Sequence, residues 1–549
     1  MKKQTKYVGT ILAAVLSLSM LSSCGGGADN SSSSEETLSN SYVGGQTDTA
    51  TAYWIDGSPF TPVLRFIAAS DVNITTENSW TPGRYRLQYL FDDIYGYAAT
   101  QEYNRLDAVI LNGDLCEQGR EWEFKTLMEE IEEHVRQEET IVLSSFAGQD
   151  VLDYYYQGAE DDAVEFITTQ TGTEPLSHLK INGFHFVVIS NMYTNANLPV
   201  GYDKQWVLDA FSNAVEDGGD KPIFTFFHHP VNDTVLMSEK DRNDYPQRPV
   251  FAEEMKSYPQ TVYFSSHYHS ALDHPATLVQ TAFTSIDTGS VSYMANISQN
   301  KFDGVGNKRL SAVSSPHTSA SGGMQVIEVD ANNRMRVMPY NLASRKFYNA
   351  MGENSDEQLI YYIENPSDPS TWLYKKAGSM YAAEGESREE RSANPYFEES
   401  AQIKDLCVTQ DSIDFRFPHA LDDDGVEGYT IIVKDAEGNS IIAEPVSSEY
   451  YLENNAKEMT IAYTREVDTY PERYYNDSDF AFIDPNRKNL SGTTWQEATY
   501  AFEDGKTYTL EIVAYDCWAK KSMGATQGQK SLKYTFTVDL LQEDGLKKI

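Results

Sequence analysis

The sequence predicts an α/β layered domain over residues 61–345, followed by an all-β sandwich over residues 401–549. Three observations carry this expectation. Between Val63 and Phe264 short apolar runs alternate with stretches of helical spacing, the rhythm of a layered α/β sheet. Beyond Ala401 the runs are short and alternating, with no helix between them. Between the two, Ala350 to Glu399 is polar and without periodicity and holds the charged stretch Glu384 to Arg391, so residues 346–400 read as a linker or surface wrap.

In order along the first domain, Val63 to Ala69 is an apolar run that ends abruptly in Ser70-Asp71, the pattern of a buried parallel strand delivering a polar residue at its carboxyl end. Arg86 to Asn104 has helical spacing through Leu87, Leu90, Phe91 and Ile94. Asp107 to Leu111 is a second buried strand, ending in Asn112-Gly113-Asp114. Glu121 to Val135 is a charged amphipathic helix, and Thr140 to Leu143 a third strand that leads into Phe146-Ala147-Gly148-Gln149-Asp150. The alternation continues with strands at Phe184 to Ile189, Pro222 to Phe227 and Thr261 to Phe264, and a helix around Gln205 to Val215. In the second domain the clearest strands are Ser412 to Phe417, Gly428 to Lys434, Thr507 to Tyr515 and Leu532 to Val538, with a hairpin turn at Asp435 to Asn439.

With 549 residues, 23% charged and 12% aromatic, the composition is that of a globular chain with ample core. Its formal net charge of -39 argues against wrapping nucleic acid or adhering to anionic lipid, since both need basic surface. The chain opens with Met1-Lys2-Lys3 and an apolar run from Val8 to Leu21, too short to span a bilayer comfortably. Leu21-Ser22-Ser23-Cys24 closes it, and the whole resembles a bacterial lipoprotein signal, 1–24, in which Cys24 receives lipid. The resemblance implies an exported protein anchored to a membrane through Cys24, with residues 25–60 as a Gly/Ser-rich tether. In such a compartment Cys407 and Cys517 are the natural pair to bond, both falling in the β-domain, while Cys116 reads as a buried apolar residue.

Five polar residues fall just past the ends of strand-like runs: Asp71, Asp114, His228, His267 and His269. In open α/β sheets chemistry sits beyond the carboxyl ends of strands. Two divalent ions roughly 3.5–4 Å apart, held by a bridging carboxylate with further carboxylate, amide and imidazole ligands, can clamp a phosphoryl group. The chain supplies such ligands in order, as Ser70-Asp71-Val72-Asn73, Gly113-Asp114, Gly148-Gln149-Asp150, His228-His229-Pro230 and Ser266-His267-Tyr268-His269.

These motifs resemble the calcineurin-like metallophosphoesterase family, whose pattern runs Asp-x-His, Gly-Asp, Gly-Asn-His-Asp/Glu, His, Gly-His-x-His. Trp206-Val207-Leu208 and the stretch Phe283 to Tyr293 also resemble the family's flanking segments, and the likeness covers about Val63 to Met338. The resemblance implies a β-sandwich flanked by helices and two divalent metal ions (Mn, Fe, Zn or Mg). Asp71 and His269 would hold the first ion, Asp114 would bridge, and His228 and His267 would hold the second, with His229 in a supporting or substrate-facing position. It implies hydrolysis of phosphomonoesters or phosphodiesters by a metal-bridged hydroxide. Similarly, Gly505 to Asp516 resembles the late strands of fibronectin type III domains, which offer a surface for a protein or glycan partner.

Three positions depart from the family's pattern. Asn73 stands in place of a histidine ligand, Gln149 in place of an asparagine ligand, and Asp150 either in place of the catalytic histidine or, after a one-residue deletion, at the acidic residue that follows it. Loss of a general acid costs roughly 10²–10⁴ in rate. Asp150 could replace it only with a raised pKa. Restoring histidine at positions 73 and 150 is therefore expected to raise activity. The alternative function is a surface binding or adhesion lipoprotein on a catalytically weakened scaffold, and a third is an envelope protein without metal.

Overall fold

Leu64, Phe66 and Ala68 point from one face of strand β1 (Pro62–Ala69) and Ile67 and Ala69 from the other, and all five are fully buried. A strand covered on both faces is apolar nearly throughout, which is why this run shows no alternation; its one charged residue, Arg65, is buried in an ion pair with Glu328. The chain is seen in a computed structural model, which describes residues 53–75, 82–192, 198–199, 202–238, 249–294, 322–350, 357–377, 384–410, 412–448, 458–464 and 501–547. Cys24, the leader and the tether up to residue 52 lie outside the described residues. Among the described residues no helix is long and apolar enough to cross a membrane.

After β1 come α1 (Pro82–Ala99), β2 (Ala108–Asn112), α2 (Glu121–His134), β3 (Ile141–Ser145), α3 (Leu152–Gln157), α4 (Glu160–Thr171), β4 (Leu176–Ile181), β5 (Phe184–Ile189) and α5 (Lys204–Gly218). Then follow β6 (Ile223–Phe227), α6 (Ala252–Met255), β7 (Thr261–Ser265), β8 (Leu278–Gln280), β9 (Thr284–Asp287), β10 (Gly323–Asp330), β11 (Met335–Asn341), β12 (Lys346–Phe347), β13 (Tyr361–Ile363) and α7 (Arg388–Arg391). One sheet has the order β12-β11-β10-β1-β2-β3, with β13 also on β11; the other has the order β4-β5-β6-β7-β9-β8. β1, β2 and β3 are parallel, as are β5, β6, β7 and β9.

The two sheets pack face to face. Phe66 of the first sheet meets Phe186 at 5.1 Å, Phe224 at 4.8 Å and Phe264 at 5.8 Å between ring centroids. Each such aromatic pair adds about 0.5–1.5 kcal/mol beyond its buried area. Leu87 and Phe91 of α1 and Phe124 and Leu127 of α2 cover the outside of the first sheet, and Val207 and Phe211 of α5 cover the second. The result is a mixed α/β arrangement of helix, sheet, sheet and helix. The carboxyl ends of the parallel strands from both sheets meet at one edge, tied there by Asn112, whose Nδ2 donates to the Phe264 carbonyl at 3.2 Å and whose carbonyl lies 2.8 Å from His228 Nδ1.

α1 begins earlier and ends earlier than its spacing predicts. Proline is favoured in the first turn, where its missing N–H costs nothing, and the chain leaves the helix where Thr100 Oγ1 bonds the Tyr97 carbonyl at 2.7 Å. The hairpin β10–β11 has no counterpart in the sequence reading; its turn is closed by Asp330, whose carboxylate accepts from Asn332 N and Arg334 N. The stretch 346–400 carries strands β12 and β13 and buries Tyr348, Tyr361 and Trp372. It also fastens the two parts of the chain together: Arg388 donates to the Pro275 carbonyl at 2.9 Å and pairs with Asp424 at 2.6 Å.

The C-terminal region is all antiparallel. β14 (Lys404–Val408), β15 (Ser412–Pro418) and β18 (Glu458–Thr464) form a three-stranded sheet in the order β14-β15-β18; β16 (Val426–Lys434), β17 (Ser440–Ser447), β19 (Thr507–Asp516) and β20 (Leu532–Thr537) form a four-stranded one in the order β17-β16-β19-β20. Phe415, Phe417, Tyr429, Ile431, Leu510 and Ile512 pack between them. His419 is buried there, its Nδ1 2.7 Å from the Tyr429 hydroxyl. The expected Cys407–Cys517 bond is corrected: both thiols are free. Leu406 and Val408 point into the core, so Cys407 between them faces outward from the three-stranded sheet, whereas Cys517 follows β19 of the other sheet.

Candidate metal centre

Five of the ligand candidates lie just past a strand end with the backbone turned left-handed. Asp71 has φ 52°, Asn73 48°, Asp114 48°, His267 74° and His269 53°. Such residues cost about 1–3 kcal/mol each and gather where the fold needs a side chain aimed sharply. Here they swing the side chains across the edge shared by the two sheets. Gly113 lets the β2 loop pass closely: at φ +83°, a Cβ there would lie 2.7 Å from Ala147 Cβ and 2.9 Å from His228 Nδ1.

The structure brings Asp114, His228 and His267 together, with one ligand atom from each within 4.8 Å of the others. His228 Nδ1 lies 2.8 Å from the Asn112 carbonyl, so it carries the proton and leaves the Nε2 lone pair facing Asp114 Oδ2 at 3.1 Å and Asp71 Oδ1 at 3.8 Å. His269 repeats the arrangement, with Nδ1 3.0 Å from the Tyr293 carbonyl and Nε2 3.0 Å from Asp71 Oδ1. With the two rings neutral, Asp71 Oδ1 and His228 Nε2 are buried without a hydrogen-bond partner. Lone pairs converging in this way suit a cation, and the mixed carboxylate and imidazole donors suit a divalent transition metal.

The electrostatics agree. Burial works to raise the Asp71 carboxyl, but charged His269 and His228 beside it hold it well below the usual carboxylate range. Burial likewise opposes charge on His228, yet Asp114 and Asp71 outweigh it and push its pKa up to about 10. His269 is raised for the same reason, against burial and by Asp71. His267 goes the other way, down to about 4, through burial and the neighbouring His228. Without a metal the carboxylates thus draw protons onto His228 and His269, and a cation must compete with those protons.

The remaining expected site residues are placed differently. Asn73 Nδ2 donates to Gln149 Oε1 at 3.0 Å and Asn73 Oδ1 accepts from Ser292 Oγ at 2.7 Å, so these two amides are engaged with protein rather than open as ligands. Gln149 serves the site through its backbone, whose N–H donates to Asp114 Oδ1 at 3.1 Å. Asp150, expected as an acid, ties two loops together. It is fully buried, with Oδ1 accepting from Cys116 N at 2.8 Å and Oδ2 from Ala147 N at 2.9 Å, which joins the loops after β2 and β3. Burial, with Asp114 nearby, pushes its pKa well up. His229 is buried against His267, ring centroids 4.4 Å apart, and is held neutral by burial and by its histidine neighbours.

Three serines not read as ligands also contribute. Ser70 Oγ donates to Asp71 Oδ2 at 2.5 Å, and Ser266, where the family pattern has glycine, bonds the same oxygen. Ser290 Oγ donates to the Asp71 carbonyl at 3.1 Å, so the segment after β9 braces the first loop. Ser70 and Ser266 stand in the sequence motifs directly before Asp71 and His267, and Ser290 lies in the Phe283 to Tyr293 stretch.

No family model matches the chain, and no curated protein does. Solved structures that it matches include the apo structure of Bacteroides uniformis beta-glucuronidase 3, at 8% identity and a TM-score of 0.18 over 88% of this chain and 63% of that one. The chain therefore spans less than two thirds of that protein's length, and a TM-score so low bears on neither fold nor activity.

Proposed function

We propose that this chain is a metal-dependent phosphoesterase of the calcineurin-like type, acting on phosphomonoesters or phosphodiesters. Its C-terminal sandwich is of the fibronectin type III kind, and the chain is exported and anchored through Cys24. One observation carries the activity: imidazoles with their Nδ1 atoms fixed by carbonyls turn Nε2 toward the buried carboxylates of Asp71 and Asp114. Asp71 and His269 would hold one divalent ion, His228 and His267 the other, with Asp114 between them. When bound, such ions acidify water and neutralise charge on a phosphoryl group.

The chain's own part is positional. Ser70 and Ser266 keep Asp71 oriented, Gln149 N keeps Asp114 oriented, and Asp150 locks the spacing of the two loops that carry them. The neutral ring of His229 packs on the ligand ring of His267 and adds no charge beside it. A second function, binding or adhesion at the cell surface with little turnover, is favoured by the mutual bonding of Asn73 and Gln149, which removes two amides from the ligand set. Metal analysis of the full chain and an assay on a chromogenic phosphoester separate the two. Bound divalent metal with turnover abolished in Asp114→Asn supports the enzyme; metal without turnover on any ester supports the binding role; no metal overturns both.

A further inference from the structure

Tyr293 stands at the mouth of the metal centre and is held there from two sides. Its carbonyl fixes His269 Nδ1 at 3.0 Å, its ring lies 4.2 Å from the His269 ring at an interplanar angle of 34°, and its backbone N–H donates to Ser290 Oγ at 3.2 Å. The side chain is half-buried. Among the described residues its hydroxyl makes no hydrogen bond, although its ring and backbone are fully engaged. A phenol keeps its proton at neutral pH. Asp150, the other group expected to serve the substrate, has both oxygens occupied by loop amides.

Resting on the phosphoesterase function above, we propose that Tyr293 is a substrate-contacting residue whose hydroxyl donates a hydrogen bond to a phosphoryl oxygen held at the metal centre. A rigid, uncharged donor has little to reorganise when charge builds on a phosphoryl oxygen, which is where such a donor contributes most. Stacking on His269 sets its direction, and the protein offers its hydroxyl no described alternative partner. The ligand it selects is a tetrahedral oxyanion with a free oxygen on the His269 side: a phosphoester before cleavage, inorganic phosphate after it.

The test uses the full chain loaded with Mn²⁺, comparing wild type with Tyr293→Phe, which keeps the ring stacking and the backbone carbonyl. Tyr156→Phe, on α3 and 75% exposed, is the control. Mn²⁺ affinity and inorganic orthophosphate affinity are measured by calorimetry, and turnover on an aryl phosphomonoester by absorbance. Tyr293→Phe is expected to bind Mn²⁺ as wild type does. It should bind orthophosphate about tenfold or more weakly, the size of one hydrogen bond to a charged oxygen, and lose on the order of 10² in kcat. Orthophosphate affinity equal to wild type overturns the assignment, and so does a loss of Mn²⁺ affinity, which would make Tyr293 a brace for His269 alone. If metal-loaded wild type neither binds orthophosphate nor turns over the ester, the phosphoesterase function falls, and the role of Tyr293 with it.

Discussion

His228 and Asp114 face each other as two ligands of one cation do: Nε2 and Oδ2 are 3.1 Å apart, and the far side of the ring is committed to the Asn112 carbonyl. A metal that binds the folded site and not the unfolded chain must stabilise the protein, by about 2.7 kcal/mol at a hundredfold excess over Kd. Adding Mn²⁺ or Zn²⁺ in thermal unfolding is therefore expected to raise the melting temperature of wild type and leave Asp114→Asn unmoved. Since His228 and His269 carry protons without the ion, uptake should also release protons, seen as a buffer-dependent binding enthalpy. An equal shift in Asp114→Asn would place the metal elsewhere.

Gly113 sits in a conformation and a space that only glycine fits. Ala at this position is strained by its φ of +83° and drives a methyl into Ala147 and the Nδ1 edge of His228. Overpacking of this kind costs about 1–3 kcal/mol. Gly113→Ala should lower stability by about that much and weaken metal binding further, because the displaced atom belongs to a ligand ring. Denaturant unfolding with and without metal checks it; a variant that loses stability but keeps wild-type metal affinity would show that the β2 loop tolerates the shift.

Positions 73 and 150 separate under the structure, although both depart from the family pattern. Asn73 is bonded to Gln149 and Ser292 beside Asp71, so Asn73→His places an imidazole next to the ligand set and should raise metal affinity and turnover. Asp150 is enclosed, and it satisfies two loop amides while its own carbonyl packs against Gly119. Asp150→His would leave those buried N–H groups unpaired, at about 1–3 kcal/mol each, and should lower stability without restoring an acid. Parallel measurement of unfolding and kcat for the two variants decides between them; a gain in kcat from Asp150→His with stability intact would return Asp150 to a catalytic place.

What the sequence made legible follows from how the fold writes itself. Asp71, Asp114, His228, His267 and His269 were readable because each breaks a buried apolar strand, and parallel strands covered on both faces leave little doubt about where they end. The roles of Asn73, Gln149 and Asp150 were not, because Asn73 and Gln149 bond each other and Asn73 a serine more than 200 residues away, while Asp150 bonds backbone amides, none of which a local pattern encodes. β10 and β11 were missed although both are fully buried, since their alternation is broken by Met and Pro rather than marked by polar residues. The cysteines failed for a different reason: membership of one domain says nothing about which face of which sheet a thiol occupies.

Asp516 and Asp422 give the C-terminal region an acid-favoured stability. Burial holds the Asp516 carboxyl up at about 7 and, with Asp516, Asp423 and Asp424 adding repulsion, the Asp422 carboxyl at about 8. Both folded values lie above the unfolded one, so the folded state binds more protons between about pH 4 and pH 8. The stability they contribute is therefore full below about pH 4 and is lost as pH rises through 7 to 8. Asp516 Oδ1 accepts from Trp518 N at 2.9 Å and Lys520 N at 2.7 Å, contacts that an asparagine oxygen can keep. Asp516→Asn should match wild type near pH 4 and exceed it at pH 8 by about 2–4 kcal/mol, since each tenfold change in proton affinity is worth about 1.4 kcal/mol. Hydrogen exchange at the β16 and β19 amides across this range measures the local effect. A variant less stable than wild type at pH 8 would mean that the charge on Asp516 is held by Lys520 and serves the fold.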